Sequence, residues 1–267
     1  MSGEDLSSEA LAALLPGRPI RSYPALLSTA ADALAWARSG APEGGIVVAD
    51  YQASPRGRAG LEWSVRPGRS LAFSLILRPD LSPEREGWLY TVAASGLHDA
   101  LDGASTIEWP DQVRAGQATI GAVGVEVELG PEGVAWAVLN VLVPDAAAPR
   151  GPLLERVVGS IEARYRSPAE AVLADYLGRC QTIGERVVAK LIPMGPSGLR
   201  VAGTATGSKT DGALVIETVR GSHVAVRPQN LGALEREAPA TGTDPDYPDY
   251  RKWSRSRAAD GGDPSTD

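Results

Sequence analysis

The sequence predicts helices layered on a sheet, α/β or α+β, followed by a small β-barrel. Apolar strand-like runs and helical stretches interleave up to about residue 180, without the regular alternation of a doubly wound sheet. Beyond Gln181 the composition shifts to short strand signals. They are parted by Gly195-Pro196-Ser197-Gly198, Lys209-Thr210-Asp211-Gly212 and Arg220-Gly221-Ser222, which are turn chemistry. Short antiparallel strands at that spacing suggest a barrel.

Residues 7–15 read as a short amphipathic helix, opened by a capping serine and closed by Pro16-Gly17. Residues 18–27 read as a connection, and Ser28-Thr29 lead into an Ala-rich helix over 34–38, which their hydroxyls can cap. Strands are expected at 46–49 and 70–77, with a helix at 88–101 spaced to pack on a sheet. A strand over 106–113 enters a turn set by Pro110. Strands 120–129 and 134–143 are joined hairpin-fashion by Gly130-Pro131-Glu132-Gly133, and helices follow at 153–165 and 168–178. The second part reads as strands 186–191, 199–206, 213–218 and 223–227. After Glu237 the chain is rich in Pro, Asp, Gly and Ser and is expected to be disordered; Tyr247, Tyr250 and Trp253 there could alternatively form a short binding segment.

The 267 residues are ample for a buried core, and one cysteine, Cys180, excludes an intramolecular disulfide and suits a reducing compartment. His98 and His223 are far apart in sequence, so no zinc cluster is expected, and neither has the surroundings of a catalytic histidine. A net charge of −7 argues against broad nucleic-acid binding. An acidic amino terminus and the lack of a long apolar run lead us to expect a cytoplasmic protein with no membrane partner.

Between the first two predicted strands lies Gln52-Ala53-Ser54-Pro55-Arg56-Gly57-Arg58-Ala59-Gly60-Leu61-Glu62-Trp63. Alternating arginines and glycines can bring cations and bare amides against an anion such as phosphate. A solvated basic turn is the plain alternative. Trp36, Trp88 and Trp136 read as packing aromatics, and Glu126 and Glu128 as solvent-facing.

Taken together, Ser28-Thr29, Gln52 with Arg56-Gly57-Arg58 and Trp63, Trp109-Pro110, the strand containing Leu139-Asn140-Val141 and a terminal barrel resemble the biotin protein ligases of the biotin/lipoate ligase superfamily. The resemblance spans residues 20–236 and is to members without a DNA-binding domain. It implies an α+β fold, a mixed sheet flanked by helices, then an SH3-like barrel. The division is 1–19 as lead-in, 20–180 as catalytic domain, 181–236 as barrel and 237–267 as tail. It also implies ATP, Mg and biotin as ligands, joined as biotinyl-adenylate and passed to a lysine of a biotin-carrier domain. The ligand-binding set carried over is Ser28, Thr29, Gln52, Arg56, Gly57, Arg58, Trp63, Trp109 and Asn140, with no resident metal site.

Four departures fall on that set. The family's Gly-Arg-Gly-Arg-x-Gly-Arg-x-Trp has Pro55 for its first glycine and Leu61 for its third arginine, and proline stiffens a loop that must fold over ligand. Lys-Trp-Pro-Asn-Asp becomes Glu108-Trp109-Pro110-Asp111-Gln112. At about 4 Å and an effective dielectric of about 20, that turns an attraction of roughly 4 kcal/mol into a repulsion. A net loss of about 4 kcal/mol costs roughly a thousandfold in rate. Gly-Lys-Leu-Ala-Gly becomes Gly116-Gln117-Ala118-Thr119-Ile120-Gly121, again without the lysine. Trp136 and Val138 replace the glycines of Gly-x-Gly-x-Asn, so bulk is expected where ligand would approach. The expectation is a biotin-ligase-like protein deficient in adenylate formation that acts by binding a carrier domain, a partner or an altered ligand. An active ATP-dependent ligase and a scaffolding module are the alternatives.

Overall fold

The computed structural model describes residues 4–101, 103–195 and 198–237. The tail beyond these, with Tyr247, Tyr250 and Trp253, lies outside the described residues.

Helix α1 (Ser8–Leu14) opens at Ser7, whose hydroxyl accepts the Ala10 N–H at 3.2 Å. Strand β1 (Ile20–Leu26) then forms where a connection was expected. Its mix of Arg21, Ser22 and Pro24 hides any clear alternation, and what makes it a strand is its parallel pairing with β2 (Ile46–Gln52), from Ile20 opposite Ile46 to Leu26 opposite Gln52. It lies at the sheet edge, where proline is tolerated. Helix α2 (Thr29–Arg38) links the two.

The chain continues through β3 (Leu71–Leu77) and α3 (Trp88–Ala100). In place of one strand over 106–113 there are two, β4 (Thr106–Glu108) and β5 (Gln112–Ala115), with the chain turning at Trp109-Pro110, where proline has no N–H to give a ladder. Strands β6 (Ala118–Leu129) and β7 (Val134–Val143) pair antiparallel, and helices α4 (Gly151–Arg166) and α5 (Ala169–Arg179) follow. The seven strands run β1-β2-β3-β7-β6-β5-β4, parallel only at the β1–β2 pair, so the sheet is mixed.

Alternation gives this sheet two different faces. Ile46, Val48, Phe73, Leu75, Leu139 and Val141 belong to the main core with residues of α3 and α4. Val47, Ile76, Trp136 and Val138 pack under Ala33 and Ala37 of α2 on the other. The start of α4 is pinned by Arg150, whose guanidinium meets Asp5 at 2.7 Å and Asp50 at 2.6 Å and is only 1% exposed.

The second part is an antiparallel sheet of β8 (Arg186–Leu191), β9 (Arg200–Ser208), β10 (Leu214–Glu217), β11 (His223–Val226) and β12 (Leu231–Arg236), in the order β11-β10-β9-β8-β12. Strand β12 was not expected, since Leu-Gly-Ala-Leu-Glu-Arg has helix-forming residues and no β-branched ones; its pairing with β8 decides. Among the described residues no ladder joins β11 to β12, so the sheet is open and the expected barrel closure is not seen. Val187, Ala189, Leu214 and Leu231 share the main core cluster with the first sheet. No helix among the described residues is long and apolar enough to cross a membrane.

Candidate functional site

The α2 face of the large sheet carries a row of polar groups where apolar side chains would be expected. Gln52 ends β2, Ser74 sits in the apolar run of β3, and Asn140 lies directly opposite Ser74 on β7. Gln52 Oε1 accepts the backbone N–H of Thr29 at 2.9 Å and lies 3.2 Å from the Thr29 hydroxyl. Ser74 Oγ lies 2.9 Å from Thr29 Oγ1 and donates to Asn140 Oδ1 at 2.7 Å. Asn140 Nδ2 in turn donates to Glu126 Oε1 at 3.2 Å. Thr29, Gln52, Ser74 and Asn140 are all buried. Because buried polar groups are costly when unpaired, such a chain holds each side chain in one orientation.

Two expectations change here. Ser28 occupies the N-cap position of α2 but makes no capping bond; the first amide is taken instead by Gln52, reaching across from β2. Glu126 does not simply face solvent: it is half-buried and receives the Asn140 amide. Ser74 was missed altogether, although a lone serine inside Leu71-Ala72-Phe73-Ser74-Leu75-Ile76-Leu77 is a signal that it has polar company.

The stretch after Gln52 lies against β6. A Cβ placed on Gly124 would meet the Gly57 carbonyl carbon at 3.1 Å, and one on Gly57 would meet the Trp63 indole nitrogen at 2.4 Å. Gly57 is thus sandwiched between Trp63 and the strand, and no larger residue fits. The structure separates the two arginines. Arg56 is on the outside, paired with Glu62 at 2.9 Å. Arg58 is only 6% exposed: its Nε meets Asp111 Oδ2 at 3.0 Å, and its Nη1 donates to the Leu231 carbonyl at the start of β12. Burial raises the Asp111 carboxyl above the ordinary carboxylate range, and the adjoining Arg58 guanidinium opposes that rise.

Glu108 is half-buried in a polar niche. Its carboxylate lies 3.4 Å from Arg114 Nε and 3.9 Å from Arg236, and accepts from Gln181 at 3.1 Å. Trp109 serves structure. Its backbone N–H donates to Thr182 Oγ1 at 3.0 Å and its indole N–H to the Gly212 carbonyl at 2.9 Å, tying the turn after β4 to the second part of the chain. Trp136 and Val138 are buried against α2, beside Asn140 on the same face of β7. Trp36 is partly buried, with Arg21 stacked 4.2 Å above its ring.

The niche at Glu108 measures about 170 Å³ and the hollow between Ala53 and Trp63 about 100 Å³, both below the ~300 Å³ at which small-molecule clefts begin. Larger hollows of about 360 and 430 Å³ lie at Pro79–Leu81 with Gly130–Ala135 and at Pro16–Pro19 with Glu162, away from the polar row, and we assign them no role. Among the described residues no group of His, Cys, Asp and Glu could hold a metal ion.

No protein-family model matches the chain. It is 32% identical over 216 residues to the biotin--[acetyl-CoA-carboxylase] ligase of Mycobacterium tuberculosis, covering 71% of this chain and 80% of that protein. It is 34% identical over 110 residues to the bifunctional ligase/repressor BirA of Bacillus subtilis, covering 39% of this chain and 34% of that one. Among solved structures, the biotin protein ligase of Aquifex aeolicus in complex with biotin and ATP aligns at a TM-score of 0.62 and 19% identity, over 82% of this chain and 99% of that one. A biotin protein ligase-like protein of unknown function from Silicibacter aligns at 0.61 and 15%, over 80% and 96%. The structural likenesses establish the α+β fold, and the identity to the mycobacterial ligase over most of its length establishes kinship: the chain belongs to the biotin protein ligase family.

Proposed function

We propose that this family member has kept a binding site but does not form an acyl-adenylate, and that it acts by holding a carrier domain, a partner or an altered small ligand. The observation that carries this reading is the state of its cations. Joining a carboxylate to a triphosphate requires positive charge to offset crowded oxygens. Arg58 is buried on Asp111, Arg56 is paired with Glu62, and Glu108 stands where the resemblance implies a lysine. Trp136 and Val138 add bulk beside Asn140. We also read the open second sheet as the counterpart of the family's SH3-like barrel, and the protein as cytoplasmic.

The test is direct. Incubating the protein with biotin, ATP, magnesium and a biotin-carrier domain should give no carrier labelling above the protein-free control. Labelling at enzyme-like rates would refute the reading.

A second reading, an active ligase, is favoured by the 32% identity to the mycobacterial enzyme and by the intact row of Thr29, Gln52 and Asn140. There Ser28 and Gln52 hydrogen-bond the acid, and Arg56 and Arg58 hold phosphate after Arg58 leaves Asp111. ATP and magnesium are then its cofactors. Calorimetry showing no binding of biotin, lipoate, octanoate or ATP at millimolar concentration would exclude it.

A further inference from the structure

We infer that Asp111 determines what this site accepts: it is an internal counter-anion that holds the Arg58 guanidinium, keeps the central stretch shut on β6 and denies anionic ligands their cation. This deepens the reading above and rests on it for the location of the site.

Three features hold Arg58 and its stretch in place, and Asp111 supplies the charge among them. The first is the buried pair, Arg58 Nε to Asp111 Oδ2 at 3.0 Å with the two residues 6% and 7% exposed. The carboxylate takes the Nε donor and meets the positive charge, so it competes directly with a phosphate or acid for the same guanidinium. The second is a further hold on the same guanidinium, whose Nη1 donates to the Leu231 carbonyl. Swinging Arg58 toward a ligand would therefore break contacts with both parts of the chain. The third is the backbone of the stretch itself, which is already bonded without any ligand. Gly57 N–H donates to Leu61 O at 2.8 Å, Leu61 N–H to Arg58 O at 3.0 Å and Trp63 N–H to Pro55 O at 3.1 Å, while Gly57 rests on Gly124. An anion-binding loop that a ligand must order would leave such amides for the ligand.

An uncharged amide at position 111 would keep the shape and remove the charge that competes for Arg58. Inorganic pyrophosphate and ATP serve as probes by calorimetry. The wild type should show no saturable binding of either at millimolar concentration. Asp111→Asn should bind pyrophosphate at least about tenfold more tightly, since charge-assisted bidentate bonds become available. Adding Arg58→Gln should cancel the gain. In the free wild type, hydrogen exchange at the amides of Gly57, Leu61 and Trp63 should be slow and unchanged by either probe. Arg58→Lys keeps the charge but loses the two-point hold, so it should speed that exchange; this measurement decides the matter even if Asp111→Asn does not fold.

Equal pyrophosphate binding by wild type and Asp111→Asn, unprotected amides in the free wild type, or exchange unaltered by Arg58→Lys would each overturn the assignment. Carrier labelling by the wild type would instead sink the deficiency reading. A silent wild type with no gain in Asp111→Asn sinks only the role of Asp111.

Discussion

From α2 across β2, β3 and β7 the candidate site is a row of neutral groups, Gln52, Thr29, Ser74 and Asn140, each hydrogen-bonded to the next. A strand or two away the same site is ionic, with Arg58 on Asp111 and Arg114 near Glu108. The neutral row orients its side chains by hydrogen bonds alone, and its charged neighbour, Glu126, only accepts from Asn140 at its end. The ionic side pairs its charges internally, and a guanidinium whose charge already meets a buried carboxylate gains less from an anionic ligand. Recognising a neutral polar group and managing an anion are thus separate tasks, built from different residues, and one can be lost while the other stays.

The comparison can be broken by substitution. Arg58→Ala leaves Asp111 buried without its partner and should destabilise the fold by about 3–5 kcal/mol, read as a lower urea midpoint. A loss under about 1 kcal/mol would mean that the pair is not buried as described. Ser74→Ala on the neutral side should cost less, about 1–3 kcal/mol, because it deprives Asn140 Oδ1 of its donor without stranding a charge. Should Ser74→Ala prove the costlier of the two, the contrast drawn here fails. Arg56→Ala removes an exposed pair with Glu62 and should shift stability by no more than about 0.5 kcal/mol.

A control from outside the site sharpens the contrast through pH. Hydrogen bonds from Arg150 hold the Asp5 carboxyl below its ordinary value of 3.8. A lowered acid contributes stability that is complete above that value and is lost as pH falls through the folded-state value. Acid titration should therefore show an early loss below about pH 4 that Asp5→Asn removes. Asp111 is shifted the opposite way, so it should not contribute to that loss.

Much of this fold was legible from apolar patterning. Strands β7 and β8 fall on the expected residues 134–143 and 186–191, and α4 and α5 lie within two residues of expectation, because both their periodicity and their turn residues are strong. The two missed strands lacked that signal. Strands β1 and β12 are defined by neighbours distant in sequence, a parallel partner in one case and β8 in the other. The site was legible as a set of residues but not as a set of contacts. Gln52, Thr29 and Asn140 do come together, yet nothing local reveals that Arg58 is held by Asp111 and by a carbonyl 173 positions away. The signal available was a carboxylate after Trp109-Pro110 in place of the family's amide, and it gains meaning only beside the buried guanidinium.

The indole of Trp109 hangs in the core with its N–H on Gly212, so its surroundings are set by the carboxy-terminal sheet as much as by its own turn. Replacing the other five of the six tryptophans with phenylalanine would leave an intrinsic optical gauge at that seam. A red-shifted emission before the main melting transition would report the sheet lifting off first; a coincident shift would report that both parts come undone together.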